Sequence, residues 1–169
     1  MNEQSEYLKV FQMEDIKRIG FEMNMGFTIA VSVIAGLLIL FALLGLVFSR
    51  VRRKLDKLIA DRFDRQELLG ATTRANFLGV KSKGGAQIRG NGALVFTGSE
   101  ICFIRAVPRK EYKIPVSSIR KVSTPRSFNG KSVLAPLLCV EYETESGDDA
   151  IAWALPHAKQ WKDAIEKRL

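Results

Sequence analysis

Between Gly79 and Gly92 the chain places three cations, Lys81, Lys83 and Arg89, among five glycines. Glycine leaves backbone N–H groups uncovered, and a turn built from it can aim several of those donors at one anion. With two ammonium groups and a guanidinium alongside, the chemistry on offer is recognition of a phosphate or carboxylate. The triplet Gly130-Lys131-Ser132 has the letters of a phosphate-cradling loop but not its frame: Pro125 stands where that loop needs its first glycine, and no helix is expected to follow. Asn129-Gly130 reads instead as a turn.

Catalytic chemistry has little to work with. The single histidine, His157, opens the last helical pattern, and no nucleophile, base and acid can be assembled around it. Asp148 and Asp149 follow Gly147 in a hairpin turn, where acids serve the backbone. Cys102 and Cys139 each lie in an apolar strand-like run and read as buried free thiols in a reducing compartment. Two cysteines without a nearby histidine make no ordinary zinc site. The expectation is a chain that is not an enzyme, with no catalytic residue, metal or cofactor.

The element that positions this loop in the cell is Phe27–Phe48, twenty-two residues without a charge. At about 1.5 Å per residue they span roughly 33 Å, enough for a hydrocarbon core of about 30 Å. A secretory signal would have a shorter apolar core, basic residues before it and a small-residue cleavage site. The segment before it, residues 1–26, holds three basic and five acidic residues, net −2, whereas residues 50–169 carry +10. The basic cluster Arg50, Arg52, Arg53, Lys54 and Lys57 follows the span directly. Because Lys and Arg mark the inner side, the expected topology is single-pass in the plasma (inner) membrane, N-terminus outside, C-terminal domain cytoplasmic. Such a basic domain suits an anionic leaflet. Nucleic acid is not expected, since charge comes without a platform of stacking aromatics.

Residues 7–23 put Leu8, Phe11, Ile19 and Met23 near one helical face, an amphipathic outer segment interrupted by Gly20 and Gly26. Ser32 and Gly36, then Gly45 and Ser49, stand at small-xxx-small spacing, which lets two helix backbones approach and points to self-association as a homo-oligomer. Residues 49–70 continue as a helix with Val51, Leu55, Leu58, Ile59 and Leu69 on a stripe that Arg62 breaks, and Gly70 as the stop. That helix either lies along the headgroups, apolar side down, or stands as a stalk; its mixed charge favours the stalk.

From residue 71 the period falls to about two. RANFLGVKS, GALVFTGS, EICFIRAV, EYKIPVSSI, RKVSTPRSF, LLCVEYET and DAIAWALP are seven strand-like runs separated by turn signals. Pro156 opens a last helix whose Trp161, Ile165 and Leu169 share a stripe. Arg105, Arg109, Lys110, Lys113, Arg120, Lys121 and Arg126 form a second basic group, read as charged strand surface.

The order GALVFTGSEICFI, YKIPVSSIRKV, LLCVEYETESGDDAIAWAL and a Trp161-centred helix resembles the pleckstrin-homology (PH) superfamily in its GRAM-like and bacterial branch, over residues 71–169. The resemblance implies a PH-like seven-stranded antiparallel sandwich or partial barrel over residues 71–169, capped by the C-terminal helix; with the transmembrane helix 27–48 and stalk 49–70 read above, the expected fold class is a membrane-anchored α+β protein. Phe96, Phe103, Trp161 and Ile165 would be its core. In phosphoinositide-binding members a lysine late in strand one acts with a basic-x-Arg pair in strand two. Lys81 and Lys83 match the first part, but GALVFTGS has no basic residue, so the second is missing. The resemblance implies binding rather than catalysis. A permanently tethered domain needs no lipid affinity to reach the membrane, so the expected role is an accessory or scaffolding subunit of a membrane protein assembly, with anionic lipid as a weaker ligand. The alternative is an anionic-lipid-sensing regulator that reads a headgroup through Lys81, Lys83 and Arg89.

Overall fold

The uncharged run at 27–48 is helical, so its backbone N–H and C=O groups are paired within the helix. The computed structural model describes the backbone of residues 3–169, with side chains for Met13 and for residues 24–169. Two compact units result, Met1–Ser49 and Arg50–Leu169. Helix α1 covers Glu3–Arg62, and passes through Gly20 and Gly26 without a break. Its apolar stretch is long enough to cross a membrane, with mean hydropathy 2.9, and every side chain from Phe27 to Phe48 is exposed. A core helix of similar composition would be buried; here Phe27 and Phe41 are 70 % and 67 % exposed. The hydroxyls of Thr28, Ser32 and Ser49 donate back to the carbonyls of Asn24, Thr28 and Leu46, each at 2.8 Å, so this stretch carries its polar atoms satisfied. A Cβ added at Gly36 or Gly45 would meet nothing within 4 Å. The side chains of Leu8, Phe11, Ile19 and Met23 lie outside the described residues.

In the second unit the alternating runs form β1 (Leu68–Val80), β2 (Gly90–Thr97), β3 (Glu100–Arg105), β4 (Lys110–Pro115), β5 (Ile119–Ser123), β6 (Ser127–Phe128), β7 (Lys131–Ser132), β8 (Leu137–Thr144) and β9 (Gly147–Ala154), followed by helix α2 (Ala158–Glu166). Seven of the strands make one sheet in the order β4-β3-β2-β1-β9-β8-β5. All its pairs are antiparallel. Strand β1 holds the two halves together: along 68–77 it pairs with β2, and from Asn76 to Val80 with β9, with register shifts between Thr72 and Ala75 and between Phe77 and Gly79. Such bulges bend a strand. One face of the sheet buries Phe77, Phe96, Phe103, Leu138 and Trp153, closed by Ile165 of α2, with Trp161 half-buried at the margin. A seven-stranded antiparallel sheet followed by a C-terminal helix agrees with the α+β class expected from the sequence.

Two local expectations are corrected and one is met. The first helix ends at Arg62, not Gly70, because Asp64 offers the chain a turn: its carboxylate accepts the Gln66 N–H at 3.1 Å and its carbonyl the Glu67 N–H at 3.1 Å. Gly70 lies in β1, where an added Cβ would stand 3.2 Å from the Trp161 ring. Pro156 precedes α2 rather than opening it, and His157, at φ 58°, is the N-cap. The Asn129-Gly130 turn is confirmed, with φ 49° and 73°, and joins the β6–β7 hairpin.

Candidate functional site

Lys81, Ser82 and Lys83 form one turn of 3-10 helix at the end of β1, and both lysines are exposed. The intervening Ser82 is committed: its N–H and hydroxyl donate to the Asp149 carboxylate at 2.9 and 2.6 Å. Burial pushes the Asp149 pKa up, but the Ser82 hydroxyl and N–H, the Ala150 N–H and the Lys83 charge outweigh it and hold the carboxyl below its ordinary range. A fixed negative charge therefore stands against Ser82, the residue between the two lysines in sequence. The third cation of the loop, Arg89, donates to the Ser132 carbonyl at 3.2 Å.

The lysine of the rejected Gly-Lys-Ser triplet has structural work to do. Lys131 Nζ donates to the carbonyls of Leu78, at 2.9 Å, and Gln87, while Asn129 Nδ2 donates to the Val80 carbonyl at 3.0 Å. Gln87 closes the loop on itself through Val80 and Gly84. The β1–β2 loop is thus fastened to the β6–β7 hairpin by donors that an anion would otherwise engage.

One consequence is measurable in acid. A carboxyl with a lowered folded pKa contributes stability that is present above its unfolded value, about 3.9, and is lost as pH falls through the folded one. Ser82→Ala should therefore cost about 1 kcal/mol at neutral pH and flatten the loss below pH 4. Denaturation followed by tryptophan fluorescence reads this directly, since both tryptophans, Trp153 and Trp161, belong to the second unit.

Of the second basic group, six members are on the surface. Lys113 and Lys121 face Glu100 and Glu141 at 3.9 and 3.8 Å, and Arg120 pairs with Glu143. These pairs sit on the edge strands β4 and β5 and their neighbours, where charge discourages pairing with another sheet. Arg105 is the exception and corrects the expectation. It is 9 % exposed, its guanidinium lies 5.9 Å from the centre of the Phe77 ring, and Nη2 donates to the Arg89 carbonyl at 3.2 Å. Gly90 makes this possible: a Cβ there would lie 2.3 Å from Arg105 Nε. Alternation along β3 puts Arg105 on the side of Ile101 and Phe103, and that was the signal for its burial.

On the opposite face of β2 and β3, Ala93, Val95, Cys102 and Ile104 are covered by Leu55 and Ile59 of α1, with Val51, Leu58 and Phe63 around them. The apolar stripe read at 51–59 thus packs on the sheet through Leu55 and Ile59, with Val51 and Leu58 partly exposed beside them. Arg50, Arg52, Arg53, Lys54 and Lys57 are exposed on the remaining helix surface. Arg62, the break in the stripe, pairs with Glu111 at 2.8 Å, which also accepts from the Cys102 thiol at 3.1 Å. Burial first, then Glu111, pushes the Cys102 pKa up to about 12. Beside this contact a groove of about 280 Å³ opens between residues 51–58 and the β3–β4 turn.

No protein-family model and no curated protein matches the chain. Among solved structures it is similar to the C-terminal domain of an unknown protein from Leishmania infantum, at 16 % identity and TM-score 0.44, over 72 % of this chain and 96 % of that one. It is also similar to the Vps36 N-terminal PH domain, at 12 % identity and TM-score 0.45, over 63 % and 82 %. The reading below rests on this chain's own strands, charges and apolar surface.

Proposed function

We propose that the chain is a single-pass membrane protein that presents a cytoplasmic PH-like binding module, and that it works as an accessory or scaffolding subunit of a membrane protein assembly rather than as an enzyme. The observation that carries the anchoring is the uncharged stretch Phe27–Phe48, none of whose side chains is buried. An apolar surface of that extent needs lipid or another chain to cover it. The +10 charge of residues 50–169 supports the cytoplasmic side. The binding role is supported by the seven-stranded sheet and closing helix, a scaffold whose edges and loops vary while its core holds.

The test is extraction and capture of the full chain with a C-terminal tag. The protein should stay with the membrane through an alkaline carbonate wash, and the tag should be reached by protease only after permeabilisation. In mild detergent it should bring a membrane protein down in stoichiometric amount. Release into the carbonate supernatant overturns the anchoring. A chain that purifies without protein partners overturns the accessory-subunit role.

A further inference from the structure

The groove lined by α1 has walls and a rim that differ in kind. Val51, Leu55, Leu58 and Ile104 make an apolar wall, and Lys54 and Arg109 stand among the lining residues, which include no acid. Val107, at the tip of the β3–β4 turn, also lines it and is 73 % exposed. Arg50, Arg52, Arg53 and Lys57 add four more exposed cations along the same helix segment.

Three features fix the kind of occupant. An apolar wall excludes a free inorganic anion as the whole ligand, because such an ion would lose its water without replacement. The basic rim excludes a neutral or cationic apolar molecule as the preferred one. The volume of about 280 Å³ falls just below the ~300–1,000 Å³ of sites that enclose a drug-sized ligand, so the groove takes part of a larger molecule. Position supplies the fourth argument. Val51 follows the last residue of the apolar stretch, Phe48, by three positions, so in an anchored chain one residue of the groove wall lies within about 11 Å of chain from the end of that stretch.

We infer that this groove binds an anionic phospholipid of the surrounding leaflet, its phosphate between Lys54 and Arg109 and the first methylenes of its chains against Val51, Leu55 and Val107. This rests on the anchored reading above. It differs from a headgroup site in the β1–β2 loop, where Asp149 holds a negative charge against Ser82 between Lys81 and Lys83.

The experiment uses the full chain in nanodiscs of phosphatidylcholine and phosphatidylglycerol, about four to one, with native mass spectrometry of the lipid that stays bound on release. Wild type is expected to retain one phosphatidylglycerol in preference to phosphatidylcholine. At about one charge contact per cation, Lys54→Glu/Arg109→Glu should lower that preference at least thirtyfold. Lys81→Glu/Lys83→Glu makes the same change of charge on the loop and should leave the preference within threefold. Both pairs are exposed, and a Lys54→Gln/Arg109→Gln variant, expected to lose about thirtyfold, guards against misfolding by charge reversal. Equal loss in both Glu pairs would reduce the effect to overall charge and overturn the groove. Loss only in the loop pair would move the site to the β1–β2 loop and overturn it likewise. Failure of the chain to enter discs at all would sink the anchoring, whereas entry without lipid preference sinks the groove alone.

Discussion

Gly92→Val is expected to abolish the fold of the second unit. Gly92 lies buried in β2, opposite Arg105 of β3. A Cβ there would stand 2.3 Å from the Ile104 carbonyl oxygen and 2.7 Å from the Phe103 ring. The first contact is with backbone, so no rotamer change relieves it; β2 and β3 must separate, and with them the stacked Phe77, Phe103 and Tyr112. Overpacking that moves backbone costs more than about 3 kcal/mol, a large share of a small domain's total. Gly98 is the matched control: a Cβ there meets nothing within 4 Å, and Gly98→Ala should change stability by less than about 0.5 kcal/mol. Tryptophan fluorescence of the two variants across a urea series distinguishes them. A Gly92→Val protein that unfolds at the wild-type midpoint would show that the close approach does not exist.

Leu55→Ala/Ile59→Ala is the second large effect, and its readout is a thiol. Both side chains are 7 % exposed, packed against Ala93, Val95, Cys102 and Ile104 of β2 and β3. Each truncation costs about 2–4 kcal/mol, and because the two are neighbours on one stripe the sum is approximate. The helix segment should leave the sheet before the sheet itself melts, since the Phe77–Trp153 core lies on the other face. Cys102 then loses its cover and the burial that holds its pKa near 12. Return toward an ordinary thiol value raises its maleimide reactivity at pH 8 on the order of a thousandfold. Cys139 is pushed up to about 11 by burial, lies under Phe128 and Val133 of the β5–β8 connection, and should remain slow. Equal acceleration of both thiols would mean global unfolding, not release of one helix.

Much of this architecture is legible in the residues. The uncharged run, the change of period after residue 70 and the Trp161–Ile165 stripe each name an element, because each is a local pattern with one satisfactory backbone answer. What a stripe packs against is not local. Val51, Leu55, Leu58 and Ile59 announce an apolar face in the sequence, but bilayer, partner helix and sheet all satisfy that face equally. The β1–β2 loop fails to read for the same reason: Ser82 meets Asp149 across 67 residues, and Lys131 meets Leu78 across 53. Both acid and lysine look like ordinary turn residues where they stand. Arg105 was readable. Its phase along β3 is that of Ile101 and Phe103, and a charge in the apolar phase of a strand marks a buried or special position.

The short interval between Phe48 and Val51 also sets how far the module can roam. Three residues reach no more than about 11 Å even when fully extended, and Val51 is already packed against the sheet cluster. An anchored copy therefore searches a thin layer rather than the cell's volume. Other residents of the same membrane would share that layer, which raises their local concentration at the module relative to a partner free in three dimensions. A weak site on this module is consequently enough to hold a neighbour that also lives in the bilayer, and far from enough to collect one from solution.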